Sequence, residues 1–281
     1  MNNTYRVQAY NTAHSSENKI HDDTVARKLG FSGALVPGVE VYAYMMHLPV
    51  ERWGRAFLER GTLECRFSDP VYDGEIAEIS GREDGDAEDG DAEDSDAEDG
   101  DAIAIEVRSR GACCATGTAR LPQQAAVPPA LDAFPPGDPP APQDRPAAGP
   151  ATLAVGKRMN TLAQEITDEV AAGYLRDVRE TAELYSREGL VHPGAVLRKC
   201  NHALLQNVLL GPWIHVGSAV RNYSAARVGE TLSARGCVAA NYERKGHLFV
   251  DLDVLVLSEG TRPITQVRHT AIYRPRQLAA A

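Results

Sequence analysis

The chain has 281 residues, of which 43% are hydrophobic, and this is enough to form the cores of two domains of modest size. Twelve acidic residues lie between positions 83 and 101, and without them the formal net charge changes from −10 to +2. The rest of the chain is therefore nearly neutral, and it lacks the basic surface that nucleic-acid binding requires.

The amino-terminal sequence and the cysteines predict a protein of the cytoplasm. Residues 1–6 show no basic segment followed by an apolar one, and no stretch approaches the ~18 apolar residues of a transmembrane helix. The five cysteines are odd in number and show no C-x-x-C spacing, which predicts reduced thiols. We therefore expect no membrane association and no bound metal.

The first chemically distinctive segment places an amide and an imidazole three residues apart, at Asn18 and His21. A short helix is predicted over residues 22–30, because acidic residues occupy its first turn and a glycine ends it. A second helix is predicted from Gly38 up to Pro49, and it is apolar on nearly every side. Other elements must enclose a helix of that kind.

Four strands are predicted to form that enclosure, because short β-type runs alternate with turn residues. They cover residues 62–67, 75–79, 102–108 and 113–121. The acidic segment 83–101 interrupts them, and its like charges predict a solvated loop inserted at a hairpin tip. Weak calcium binding is the alternative, although the spacing of an EF-hand loop is absent.

A proline-rich segment divides the chain. Ten of the 17 prolines fall between positions 122 and 150, a composition typical of an extended linker. The predicted organisation is a first domain over residues 1–122, a linker over 123–150 and a second domain over 151–281. The two domains are called the first and the second half below.

The second half is predicted to repeat the order of the first. A strand at 159–166 and a helix at 177–187 precede a central helix at 194–210. Four strands then follow at 214–223, 231–242, 248–258 and 264–273.

A repeated pattern supports this duplication. The sequence GALVPG, which ends at Gly38, is matched by GLVHPG 156 positions later. At that offset the amide and imidazole of the first half fall opposite Tyr174 and Asp177. We therefore expect the chemistry to reside in the first half alone.

These features resemble the MaoC-like, or (R)-specific, enoyl-CoA hydratases, which have the hotdog fold. The family pattern D-x-N-P-[LIV]-H is similar to SENKIH at 16–21, V-x-G to VPG at 36–38, and F-x-x-P-V-x-x-G-[DE] to FSDPVYDGE at 67–75. The resemblance implies an α+β protein of two fused hotdog domains. Each is an antiparallel sheet wrapped around a central helix, and the two sheets join edge to edge as a pseudo-dimer.

The resemblance also implies a role for each residue of a site. Adding water to a trans-2-enoyl thioester needs a base for the water, a proton for the α-carbon and donors for the thioester oxygen. His21 would hold and deprotonate the water, and Asn18 would orient the water or the loop. The backbone N–H of Gly38 would stabilise the oxyanion at a helix N-terminus, where the missing side chain allows close approach.

One catalytic position departs from the family. Ser16 stands where the family has its aspartate, and a hydroxyl cannot take a proton from water at neutral pH. Glu17 is the nearest substitute, but its side chain should point away from that of Ser16 in an extended loop. Val36 and Tyr42 are predicted to contact the substrate.

The leading hypothesis is a hydro-lyase that interconverts enoyl and 3-hydroxyacyl thioesters of coenzyme A or an acyl carrier protein. No metal or redox cofactor is expected, and pseudo-dimers could assemble further into homo-oligomers. One alternative is a thioester hydrolase, which aims water at the carbonyl carbon. Another is a non-catalytic subunit that binds acyl thioesters, since one fold supports all three functions.

Overall fold

A computed structural model describes residues 3–14, 16–83 and 100–276, and its strands form one ten-stranded antiparallel sheet. The first half contributes β1 (Asn3–Gln8), β2 (Thr62–Phe67), β3 (Ile76–Glu83), β4 (Gly100–Ser109) and β5 (Ala112–Pro122). The second half contributes β6 (Gln164–Glu165), β7 (Ile214–Asn222), β8 (Thr231–Arg244), β9 (His247–Ser258) and β10 (Arg262–Arg274).

The two halves meet where β2 pairs with β7 in the middle of the sheet. Read from each outer edge inward, the strand order is β1-β3-β4-β5-β2 and β6-β8-β9-β10-β7, so the halves have the same topology. The register places Thr62 opposite Arg221 and Cys65 opposite Ser218. The predicted edge-to-edge pseudo-dimer is confirmed.

The helices are α1 (Asp23–Lys28), α2 (Gly38–Trp53), α3 (Arg55–Arg60), α4 (Asp168–Asp177), α5 (Leu184–Glu188) and α6 (Pro193–Leu205). The central helices α2 and α6 pack against each other and against the sheet. Their crossing is close, because a Cβ added to Gly194 would lie 2.7 Å from the Cβ of Ala43. No helix in the described part of the chain combines the length and the apolar character that a bilayer crossing requires.

A buried carboxylate joins the central helices. The side chain of Glu40 on α2 is only 1% exposed, and Arg198 on α6 donates to its Oε1 over 2.8 and 2.6 Å. Thr12 donates to the same oxygen, and the Tyr174 hydroxyl donates to Oε2 over 2.8 Å. The hydrogen-bonding capacity of Glu40 is thus filled by residues from both halves.

Both central helices end at positions other than those predicted. The helix α2 continues through the buried Pro49 to Trp53. The packing of this helix in the core offsets the loss of the one backbone hydrogen bond that proline cannot make. The helix α6 ends at Leu205 because the side-chain amide of Asn207 donates to the carbonyl of Ala203, where a helical backbone N–H would otherwise bind.

The prediction of one helix at 177–187 is wrong, because residues 178–183 separate α4 from α5. Arg179 adopts a positive φ of 54° there. The carboxylate of Glu180 accepts hydrogen bonds from the backbone N–H groups of Thr181 and Ala182, which holds the chain in a turn.

The strand predicted at 159–166 is reduced to the two residues of β6. Met159 and Thr161 still donate backbone hydrogen bonds to β8, at Gly236 and Ala234, but the segment lacks a regular ladder. The strand β1, which pairs with β3, was not predicted.

The segment between β5 and β6 packs against both halves. Phe134 is buried with Leu255 and Leu257 of β9. Farther along, the guanidinium of Arg145 donates to the carbonyl of Leu205 and to Glu17. The proline-rich chain is therefore held along the second half and returns to the first.

The residues that flank the acidic insertion lie at the C-terminal end of α2. Residues 84–99, which carry the predicted solvated loop, lie outside the described residues. Its flanking residues Glu83 and Asp101 lie 2.7 and 3.8 Å from the guanidinium of Arg52, in the last turn of α2.

We expect Glu40→Ala to lower the free energy of unfolding by about 3 kcal/mol, because it leaves a partly buried guanidinium without its carboxylate. Glu64→Ala is the matched control: the side chain of Glu64 is 67% exposed, so a change within about 0.5 kcal/mol is expected. Urea denaturation followed by circular dichroism measures both, and equal effects would contradict the structural role of Glu40.

Candidate active site

A cavity of about 270 Å³ lies at the N-terminus of α2. Four residues of the predicted site line it: Asn18, His21, Val36 and Gly38. The first half adds the apolar side chains of Ile20, Phe31, Leu35, Val41, Phe67 and Val71. The second half closes the cavity with Asn201, Trp213, Ile214, His215, Val216 and Ile272.

The imidazole of His21 has one nitrogen fixed by the backbone. Its Nδ1 lies 2.7 Å from the carbonyl oxygen of Leu35, and a carbonyl can only accept, so Nδ1 carries the proton. The basic atom is then Nε2, which lies 3.4 Å from the side-chain nitrogen of Asn18. Burial lowers the pKa of His21, so the ring is neutral at pH 7 and Nε2 is an acceptor, which the Asn18 amide engages only through this long contact.

The amide of Asn18 bridges the two halves. Its Oδ1 accepts from the backbone N–H of Trp213 over 3.2 Å, and its Nδ2 donates to the carbonyl of Trp213 over 2.9 Å. The Asn18 side chain is buried, so its two-point contact fixes the loop that carries His21. This geometry fits the predicted loop-orienting role better than direct contact with a mobile water.

The N-terminus of α2 has backbone donors without a side-chain cap. Pro37 occupies the N-cap position, and the first N–H groups of any helix lack acceptors within the helix. Positive partial charge therefore faces the cavity at Gly38. The space beside the Gly38 Cα is filled by the ring of His215, because an added Cβ would lie 2.8 Å from its Nδ1. Glycine is needed here for that imidazole, and close approach of a ligand is limited to the N–H side.

The equivalent helix start in the second half is closed. His192 caps α6 by accepting from the backbone N–H of Gly194 over 3.0 Å. A Cβ on Gly194 would overlap with the hydroxyl of Tyr174, which occupies the neighbouring space. The helix terminus in the second half is thus satisfied by its own side chains.

Three residues considered at the sequence level do not reach the cavity. The Ser16 hydroxyl accepts from the backbone N–H of Asn18 over 3.1 Å, and Ser16 does not line the cavity. Glu17 points outward and pairs with Arg145 over 3.2 Å. Tyr42 is buried in the core beside a gap of about 20 Å³. The structure therefore provides no contact between Tyr42 and a ligand in this cavity.

Sequence reasoning missed the polar residues that the second half contributes. Asn201, Trp213 and His215 belong to no motif, and their approach to His21 depends on the pairing of β2 with β7. Among the described residues, none donates to or accepts from three of their buried polar atoms: Asn201 Oδ1, Trp213 Nε1 and His215 Nδ1. No local signal in the sequence could have placed them here.

A polar cleft of about 500 Å³ lies on the outer side of His21. Its lining includes the carboxylates of Asp22, Asp23, Asp73 and Glu75. Since His21 lines both spaces, the imidazole stands between the acidic cleft and the apolar cavity. The acidic cleft suits water better than phosphate groups.

Similar proteins are found among solved structures and not by sequence. No family model matches the chain, and no curated protein matches it by sequence. A structure described as a MaoC domain protein dehydratase from Chloroflexus aurantiacus superimposes with a TM-score of 0.61 at 13% identity, over 98% of this chain and 96% of that one. A Mycobacterium tuberculosis protein described as having a double hotdog fold gives 0.60 at 13% identity, over 96% of each chain. The protein is a double hotdog.

A structure with a different described activity is also similar. A structure described as a thioesterase II from Thermobifida fusca has a TM-score of 0.53 at 16% identity, over 97% of this chain and 93% of that one. Likeness at this level of identity establishes the double hotdog fold and leaves the reaction to the residues of the site.

Buried neutral histidines make the stability of this double hotdog depend on pH. Burial lowers the pKa of His269 to about 3, and burial with the nearby Lys199 and Arg198 lowers that of His202 to about 4. Burial and the neighbouring His269 also place the pKa of His215 well below its ordinary value. The unfolded chain binds these protons near pH 6.5, so the stabilisation is complete above that pH and is lost as the pH falls.

We expect the free energy of unfolding to fall between pH 7.5 and 5.5, by about 1 kcal/mol for each such histidine. In His202→Gln the fall should be smaller by that amount, because one titrating group is removed from the unfolded chain. Urea denaturation at both pH values measures the difference. An identical pH dependence in the variant and the wild type would show that His202 is not buried as a neutral ring.

Proposed function

We propose that the cavity at the N-terminus of α2 catalyses the reversible addition of water to a short trans-2-enoyl thioester. The supporting observation is that a neutral imidazole with a basic Nε2 shares one small cavity with an uncapped helix N-terminus. The equivalent terminus in the second half is capped by His192. The proposal therefore assigns one site to each chain.

The proposed reaction uses groups of this chain at each step. His21 Nε2 takes a proton from water as the water oxygen forms a bond to the β-carbon. The double bond shifts towards the thioester, and the backbone N–H of Gly38 stabilises the charge on the thioester oxygen. The imidazolium of His21 then returns a proton to the α-carbon, which restores the neutral ring. The reaction is redox-neutral, and the proposal includes no metal or redox cofactor.

The cavity supports a substrate with a short acyl chain. A volume of about 270 Å³ lies just below the usual range of ligand pockets, and most of the cavity lining is apolar. Coenzyme A is the carrier chosen for the first assays. Its phosphates would lie away from the acidic cleft beside His21, because that cleft repels anions.

Thioester hydrolysis is the second candidate, favoured by the likeness to the Thermobifida fusca structure described as a thioesterase II. It would use the same imidazole and helix terminus, with the water aimed at the carbonyl carbon. Ser16 at the position of the family's aspartate supports a third candidate, a binding subunit without turnover.

With crotonyl-CoA we expect the wild type to remove the enone absorbance without releasing thiol. His21→Ala should lower kcat by about 10²- to 10⁴-fold, because the proton acceptor is lost. His247→Ala is the matched control, since His247 lies at the start of β9 and does not line the cavity. Full turnover by His21→Ala would refute the assignment of the base.

The products distinguish the three candidates. Release of free thiol, measured with a thiol reagent, would show that the reaction is hydrolysis and not hydration. Saturable binding of crotonyl-CoA without change in either signal would favour the binding subunit.

We expect Ser16→Asp to leave the hydration rate unchanged or to raise it. The serine hydroxyl accepts a hydrogen bond from the backbone N–H of Asn18, and an aspartate carboxylate can accept the same bond. The carboxylate also adds a potential base. Steady-state kinetics with crotonyl-CoA measure the effect, with Ser16→Ala as the control that removes the acceptor. Loss of activity in Ser16→Asp alone would show that the loop does not tolerate the charge.

A further inference from the structure

Arg145 of the linker is anchored at the C-terminal end of α6. Its Nη1 donates to the carbonyl of Leu205 over 2.6 Å, and its Nε donates to the carbonyl of Pro142 over 3.1 Å. Leu205 is the last residue of α6, where the carbonyl groups lack partners within the helix and the helix dipole favours a cation. The Arg145 side chain is only 13% exposed. The guanidinium is therefore fixed by contacts outside the cavity.

The linker is also hydrogen-bonded to the chain that follows α6. Leu209 exchanges two backbone hydrogen bonds of 2.8 Å with residues 146–148. Four residues farther on, Trp213 binds the amide of Asn18. The chain after α6 therefore contacts both the linker and the loop that carries His21.

A second edge of the guanidinium binds Glu17. Nη1 of Arg145 lies 3.2 Å from Oε2 of Glu17, and Nη2 lies 3.2 Å from Oε1, which is the bidentate arrangement of an arginine and a carboxylate. Glu17 is the neighbour of Asn18 and lies four residues before His21. The loop is thus attached at two consecutive residues, Glu17 to the linker and Asn18 to Trp213.

We propose that Arg145 is a positioning residue that acts through Glu17 to hold the loop of His21 in the orientation needed for proton transfer. The bonds between Asn18 and Trp213 fix one point of the loop, and the ion pair fixes the next, so the loop cannot turn about a single attachment. A displacement of about 1 Å can lower a rate by about 10²-fold, because a base must lie within reach of the proton. The effect on turnover rests on the proposed function, whereas the restraint on the loop does not.

The ion pair is partly solvated, which limits the size of its effect. The Glu17 side chain is 67% exposed, so water competes with Arg145 for the carboxylate and salt screens the pair. A pair of this kind changes an equilibrium by up to about fivefold. We therefore expect its removal to change the opening of the loop, and the turnover that depends on the loop, by about that factor.

Hydrogen exchange followed by mass spectrometry tests the restraint on the full chain without a substrate. In Glu17→Ala and in Arg145→Ala, the backbone amides of residues 18–22 should exchange about fivefold faster than in the wild type, after allowance for the intrinsic rate of each sequence. Glu78→Ala is the matched control, because Glu78 binds Arg6 on the neighbouring strand and does not line the cavity. The loop should exchange at the wild-type rate in that control. Equal loop exchange in Glu17→Ala and the wild type would overturn the proposal.

Kinetics with crotonyl-CoA test whether the restraint contributes to turnover. We expect Glu17→Ala and Arg145→Ala each to lower kcat about fivefold with KM unchanged, because the apolar cavity still binds the acyl chain. The double variant should be no slower than Arg145→Ala, since the two side chains act through one interaction. Losses that multiply in the double variant, or a rise in KM alone, would contradict positioning by Arg145 through Glu17.

The two experiments separate the positioning role from the proposed function. Faster loop exchange in both variants, with no turnover by the wild type, would refute hydration and uphold the restraint on the loop. Turnover by the wild type, with kcat unchanged in both variants, would refute the positioning role and leave the proposed function intact.

Discussion

The antiparallel pairing of β2 with β7 is the constraint on which the site depends. It makes one sheet from two halves and fixes the start of β7 beside the loop that carries His21. The amide of Asn18 completes this junction by binding both backbone groups of Trp213. A shift of register by one residue would turn the side chains of β7 to the opposite face of the sheet.

The two halves differ at the N-termini of their central helices. In the first half the N-terminus of α2 faces a cavity and has no side-chain cap. In the second half His192 caps the helix, and Tyr174 fills the adjacent space while it donates to Glu40. Tyr174 falls opposite Asn18 of the first half in the repeated pattern. It has therefore become part of the interface between the halves.

Burial sets the electrostatic character of the site. The pKa of His21 is lowered by desolvation, so its ring is neutral at pH 7, the form that the proposed reaction requires of a base. The helix terminus supplies the positive partial charge, and four carboxylates lie in the outer cleft beside His21, while Asp69 lines the cavity itself. Ser16 adds no charge in the cavity, because it binds the backbone of its own loop. The proposed chemistry thus depends on one imidazole and on backbone dipoles.

The sequence alone predicted the features that depend on neighbours along the chain. The buried helix after Gly38, the strands at the positions of β2 and β7, and the duplication all follow from residue periodicity and repeated patterns. The spacing of Asn18 and His21 also placed both residues at the cavity, because a short loop before a helix fixes their separation.

Only the tertiary structure decided the features that depend on residues far apart in sequence. The turn at Arg179 is held by the buried carboxylate of Glu180, which binds His47 of the first half over 2.8 Å. His215 reaches Gly38 only through the sheet, across 177 positions of sequence. Local propensity carries no record of such contacts, because their free energy arises when distant segments exclude water together.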